Sequence, residues 1–147
     1  MYIQIEHISE RPVYRQIMDQ IKLQVALGKL LKGDKLPTVR ELAGKLVINP
    51  NTIAKAYRLL EREGVIATRT GSGTYVAQRP SQLSPEAREK LISQELKRIV
   101  VEAIHLQIPK GIMTEWFNRT LEEFTFGREG ESTKKDEPIQ NKGSEYE

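Results

Sequence analysis

The 147-residue chain has no cysteine. That absence excludes a disulfide framework and every form of thiolate chemistry. Histidine is nearly absent as well: His7 and His105 are the only two, and they lie far apart in sequence. With no thiolate and no second imidazole nearby, a metal site is not expected. Aromatic residues make up only 6% of the chain. No apolar run approaches the roughly 20 residues that span a bilayer as a helix. The opening MYIQIEHISERPVY lacks the basic-then-apolar order of a secretory leader. The expected compartment is therefore the cytoplasm, with no membrane partner. No nucleophile–base arrangement, metal-ligand spacing or cofactor signature stands out, so neither an enzyme nor a bound cofactor is expected.

What the chain does have is charge, unevenly placed. Residues 1–80 carry a net +6, residues 81–126 a net −1 and residues 127–147 a net −2, within a total of +3. A positive field confined to one half points to a polyanionic partner there.

Apolar periodicity outlines the elements. Tyr2–Ile5 alternates weakly, as a short strand would. Pro12 suits the first position of a helix, and Tyr14, Ile17, Met18, Ile21 and Val25 give that helix one apolar stripe. Gly28 stops it. GKLLKGDKLP reads as a loop with little to pack. Thr38 with Glu41 three residues later forms a capping box for a short helix, in which Leu42, Ala43 and Leu46 face inward. VINPN is a break, because Pro50 disfavours a helical Asn49. Asn51 or Thr52 then caps a third helix running to about Glu63, whose apolar stripe is Ile53, Ala56, Tyr57 and Leu60. Gly64 ends it. Val65–Arg69 and Thr74–Ala77 form a hairpin across Thr-Gly-Ser-Gly.

Beyond a linker at 78–84, Ser84-Pro85-Glu86 starts a long helix to about Ile108. Ile92, Leu96, Ile99, Ala103 and Leu106 repeat at 4-3-4-3 spacing, the period of a packed helical seam. Pro109-Lys110-Gly111 turns the chain into a last helix holding Met113, Trp116, Phe117, Leu121 and Phe124. One long helix cannot bury both its flanks against one short helix, so self-association is the simplest outlet. A cavity near Trp116 and Phe117 for a small apolar effector is the lesser alternative to core packing there. Residues 127–147 are charged and aperiodic, and are expected to be disordered.

The third helix carries the chemistry. With its apolar stripe inward, Asn51, Thr52, Lys55, Arg58 and Arg62 are left outward. A helix fits the major groove and its N-terminal residues reach base edges. Asn51 and Thr52 suit bases or nearby phosphates; Lys55 and Arg58 suit phosphates, which position without specifying sequence. Arg40, in the first turn of the short helix, can reach a phosphate or fork onto a guanine. Arg69-Thr70-Gly71-Ser72-Gly73-Thr74 makes a wing whose glycines allow close backbone approach to a sugar-phosphate wall. A phosphate-binding P-loop is a poorer account of these glycines, since no Lys-Ser/Thr follows them.

LPTVRELA, VINPNTIAKAYRLLEREGVI and RTGSGTYVA, in that order, resemble the winged-helix domain of the GntR family of bacterial transcription regulators. The resemblance covers about residues 11–77, and the short two-helix C-terminal segment is similar to that of the YtrA-type subgroup. It implies a mainly α fold with a small β wing: a winged helix-turn-helix over 1–77, a linker, and a helical hairpin over 85–126 for dimerisation. It implies a homodimer on a two-fold symmetric, palindromic operator of double-stranded DNA, acting as a repressor. The implied DNA-contacting positions are Arg40, Asn49, Asn51, Thr52, Lys55, Tyr57 and Arg69, Thr70, Gly71, Ser72 and Gly73. Some relatives carry a base-reading arginine where this chain has Pro50, which shifts base recognition towards Arg40 and the Asn51–Thr52 pair. The subgroup also suggests an adjacent transporter operon as target. A winged helix that binds protein, or nucleic acid without sequence preference, is the alternative reading.

Overall fold

A computed structural model describes residues 1–124 of the chain. Three helices make the first layer: α1 (Val13–Ala26), α2 (Val39–Leu46) and α3 (Pro50–Arg62). A two-stranded antiparallel sheet follows, β1 (Ile66–Arg69) and β2 (Gly73–Val76), paired from Ile66↔Val76 to Arg69↔Gly73. Then come α4 (Pro85–His105) and α5 (Lys110–Glu122). This is the expected mainly α architecture with a small β wing. The expected disordered tail, 127–147, lies outside the described residues.

One core serves the whole N-terminal part. Ile17 and Ile21 of α1, Leu42 of α2, Ile53 and Leu60 of α3, and Ile66 and Val76 of the sheet interlock there without solvent exposure worth noting. Burying each large aliphatic chain contributes about 1.5–3 kcal/mol before the entropy of ordering it is set against that. A partly buried ion pair from Lys22 to Glu63 adds a polar tie between α1 and the end of α3.

Local signals explain the helix ends. Thr38 and Glu41 close the capping box of α2: Glu41 N–H donates to the Thr38 hydroxyl at 3.1 Å, and Thr38 N–H to the Glu41 carboxylate at 2.8 Å. The third helix starts earlier than expected. Its cap is Asn49, whose side-chain oxygen accepts from Asn51 N–H at 2.9 Å, and Pro50 occupies the first helical position. Pro50 keeps Asn49 out of the helical region, and the same φ restriction suits it to open a helix itself. Asn51 and Thr52 therefore sit inside the first turn. α4 stops at His105 rather than Ile108, because Gln107 turns to φ 57 and Ile108 N–H reaches back to the Ala103 carbonyl.

Two segments differ from expectation. Residues 28–37 pack well: Leu30 and Leu36 enter the core. Lys35 bridges to Tyr75, with Leu36 N–H donating to the Thr74 carbonyl and Val76 N–H to that of Asp34. This stretch is a rudimentary third strand on the free edge of β2. The N-terminal arm, expected as a strand, has extended backbone but no strand partner. Three glutamines of α1 take that place. Gln24 accepts from Tyr2 N–H and donates to its carbonyl; Gln20 does the same for Gln4, and Gln16 for Glu6. The residue between the first two rungs, Ile3, turns into the core.

The stretch 78–84 is also held. Arg79 N–H donates to the Gly64 carbonyl at 2.7 Å and Gln82 N–H to that of Arg62 at 3.0 Å. Gly64 is required here twice over: its φ is +78, and a Cβ would lie 2.2 Å from the Arg79 oxygen. In contrast, α4 and α5 enclose no core. Among their large apolar residues, Leu91, Ile92, Leu96, Ile99, Val100, Val101, Ile104 and Leu106 stay exposed, as do Trp116, Phe117 and Leu121.

Candidate nucleic-acid interface

The helix-turn-helix pairs α2 with α3 through Val47, which ends α2 in the left-handed region at φ 55. A β-branched residue is strained there. Its side chain gains nothing from burial, at 88% exposure. Val47 shares a shallow surface depression with Arg40, Gly44 and Pro50, so the turn brings Arg40 close to the start of α3.

On α3 the division of faces is clean. Ile53, Ala56, Tyr57 and Leu60 are buried, whereas Asn51, Lys55, Arg58 and Arg62 are exposed and Thr52 is half-buried. Asn49 is exposed, with its side-chain oxygen committed to the cap. Tyr57 stands apart from the other expected contact positions. It is a core residue whose hydroxyl donates to the Pro37 carbonyl at 2.7 Å. Burial, and next the Glu41 charge, push its pKa well above the ordinary tyrosine value, so the hydroxyl stays protonated. Its visible task is to fix the segment leading into α2.

The wing tip is Thr70, Gly71 and Ser72, all exposed, with Ser72 N–H donating to the Arg69 carbonyl at 3.0 Å. Tyr75 lies beneath it. The Arg69 guanidinium stands 4.8 Å from the Tyr75 ring centroid, and the Tyr75 hydroxyl shares a 2.6 Å hydrogen bond with that of Ser72. Gly73 leaves room for Lys35, whose Cε would be 2.9 Å from any Cβ there. Thr68 N–H donates to the Glu61 carboxylate at 3.0 Å, tying the wing to α3. At the other end of the surface, the Lys55 ammonium sits 4.0 Å over the Tyr14 ring, which joins α3 to α1.

Sequence reasoning missed Lys35, Tyr14 and Tyr75 as members of this surface. In the sequence Tyr14 belongs to the apolar stripe of α1 and Lys35 to a polar loop. The one local signal was the alternation Thr74-Tyr75-Val76, which sends Tyr75 to the face opposite buried Val76. Of the expected dimerisation residues, Ile92, Leu96, Ile99, Leu106, Trp116 and Phe117 are exposed; Ala103 alone is buried, within its own chain. Ile99, Ala103, Leu106, Met113 and Trp116 line an open groove between α4 and α5. Among the described residues no group of histidines and carboxylates could hold a metal ion, and no helix is long and apolar enough to cross a membrane.

A short capped helix, a sharp turn, a helix with one polar basic face and a glycine-tipped hairpin together define a winged helix-turn-helix DNA-binding regulator. Comparison with known proteins gives the same class and narrows it. The model for bacterial regulatory proteins of the gntR family matches residues 13–76. The chain is 36% identical over 129 residues to the HTH-type transcriptional repressor YtrA of Bacillus subtilis (strain 168), covering 88% of this chain and 99% of that one. It is 40% identical over 107 residues to the uncharacterized HTH-type transcriptional regulator YhcF of the same organism, over 73% and 88% of the two chains. The crystal structure of a transcriptional antiterminator from Listeria monocytogenes EGD-e matches with a TM-score of 0.71 at 32% identity, over 82% of this chain and 90% of that one. The chain belongs to the gntR family and is a transcription regulator, not an enzyme.

Proposed function

We propose that the protein acts in the cytoplasm as a homodimeric repressor of the YtrA type on a two-fold symmetric operator. Residues 1–77 bind DNA, 78–84 connect, and 85–126 dimerise. Asn51 and Thr52 enter the major groove at the start of α3, with Arg40 beside them. Lys55, Arg58 and the wing residues Arg69–Gly73 hold flanking phosphates. The observation that carries this reading is the pairing of two surfaces in one chain. The polar face of α3 carries Asn51, Lys55, Arg58 and Arg62 in the open, while α4 and α5 expose an apolar stripe that a single copy cannot cover. Exposed apolar patches on this scale mark an interface. A second copy packed there fixes the distance between two recognition helices, and a small molecule that tilted α4 would change it.

Selection of genomic fragments by the purified protein tests the proposal. The expected product is a palindrome with half-sites about one helical turn apart, and binding that falls steeply with salt. Enrichment of no two-fold symmetric sequence would sink the operator reading in favour of an interaction module without sequence preference.

A further inference from the structure

We infer that Tyr14 and Tyr75 are positioning residues of the DNA face: their rings seat Lys55 and Arg69 before DNA arrives. The inference rests on the reading that α3 and the wing lie on DNA. Lysine and arginine have the greatest rotamer freedom of the side chains, and binding that freezes a free one loses that entropy. A carboxylate could hold such a side chain still, but it would cancel the charge that the phosphate needs. An aromatic face holds a cation within about 6 Å of its centroid and leaves the charge intact. Lys55 over Tyr14 at 4.0 Å and Arg69 over Tyr75 at 4.8 Å meet that description, and Arg15 is a second, more distant cation at the Tyr14 ring, at 5.5 Å.

The ion pairs of the described residues point the same way. They join Arg11 to Asp19, Lys22 to Glu63 and Arg98 to Glu95, and none of them takes up Lys55, Arg58, Arg62 or Arg69. Lys55 and Arg69 have ring contacts in place of carboxylates. Each ring is itself anchored. Tyr14 packs against the hydrophobic core from the first turn of α1. Tyr75 is paired with Ala67 in the sheet, bridges to Lys35, and bonds Ser72 through its hydroxyl. Tyr75 thus fixes both the charged root of the wing and its tip. A ring covers one side of an ammonium or guanidinium, and the remaining N–H donors stay open to a phosphate oxygen.

The test compares Tyr14→Leu and Tyr75→Leu with Tyr14→Phe and Tyr75→Phe in the full chain. In the protein without DNA, ring currents should move the Lys55 ε-methylene and Arg69 δ-methylene proton resonances upfield. The Leu variants should lose these shifts and the Phe variants keep them, with dispersed amide spectra showing that all remain folded. Binding to a random-sequence duplex several helical turns long reads the consequence. Each Leu variant should bind about two- to fivefold more weakly, with its salt slope unchanged because the cation is still present. Each Phe variant should bind within about twofold of the parent. Lys55→Ala should instead lower the salt slope by about one. Lys55 and Arg69 methylenes at ordinary shifts, or Leu variants that bind as tightly as the parent, would overturn the inference. Upfield shifts combined with a Lys55→Ala variant of unaltered affinity and slope would overturn the placement of α3 on DNA, and the positioning role with it.

Discussion

The two halves of this chain solve the burial problem in opposite ways. In residues 1–77 every amphipathic element finds its cover within the same chain, and Ile17, Ile21, Ile53 and Leu60 are sealed from solvent. In α4 and α5 apolar residues fill a similar share of the positions, yet Ala103 is the sole buried one. Hydrophobic content alone does not make a core; it needs a second face at the right distance. The N-terminal half carries its second face in its own sequence. The C-terminal half leaves its apolar face uncovered in the single chain.

That contrast can be broken experimentally. The largest effect is expected from Leu96→Asp combined with Ile99→Asp. Desolvating two carboxylates in the seam should weaken self-association about a thousandfold, roughly 4 kcal/mol. Sedimentation velocity measures this, and the melting of residues 1–77 should be unmoved. A variant that still dimerises would show that the interface lies elsewhere. Next comes Leu60→Ala, which opens a cavity in the sealed core. It should lower stability by about 2–5 kcal/mol in chemical denaturation and leave the C-terminal seam intact. Replacing residues 78–84 with a long Gly-Ser segment sharpens the link between the halves. A longer, flexible segment in place of the one docked through the Arg79 and Gln82 backbone N–H groups should lower affinity for a two-site operator about tenfold, while binding to a single half-site stays constant. Equal losses on both would mean the linker acts on folding. The smallest effect is a gain: Val47→Gly relieves left-handed strain at a solvent-exposed side chain and should add about 0.5–1 kcal/mol in thermal unfolding.

The legible parts of the molecule were those encoded by neighbours in sequence. The capping box at Thr38, the stripe of α3 and the glycine-tipped hairpin all depend on residues within about ten positions of each other. Their boundaries in the structure lie within three residues of those the sequence indicates. The Asn49 cap was displaced because Pro50 can both end one conformation and begin another. What escaped depended on distant partners. Leu30 and Leu36 look like isolated leucines in a polar loop until β2 supplies the edge along which they lie. Lys55 over Tyr14 joins residues 41 positions apart, and nothing in the helical period of either helix announces the meeting. The same holds for the N-terminal arm: its alternation was visible, but the glutamines that bind it lie on a helix.

Those glutamines act as a vernier. Four residues of helix advance about 6.0 Å. Two residues of extended chain advance about 6.7 Å. The two scales nearly coincide, so Gln16, Gln20 and Gln24 meet Glu6, Gln4 and Tyr2 in turn. Each rung slips by about 0.7 Å, and a fourth would be out of step by about 2 Å, beyond what a hydrogen bond tolerates. The longest N–H bond of the series, 3.3 Å, falls at the Gln24 end. The series has three rungs because Pro12 stands one turn before Gln16 and Gly28 one turn beyond Gln24. The pitch of one helix gives a segment without a strand partner a defined register.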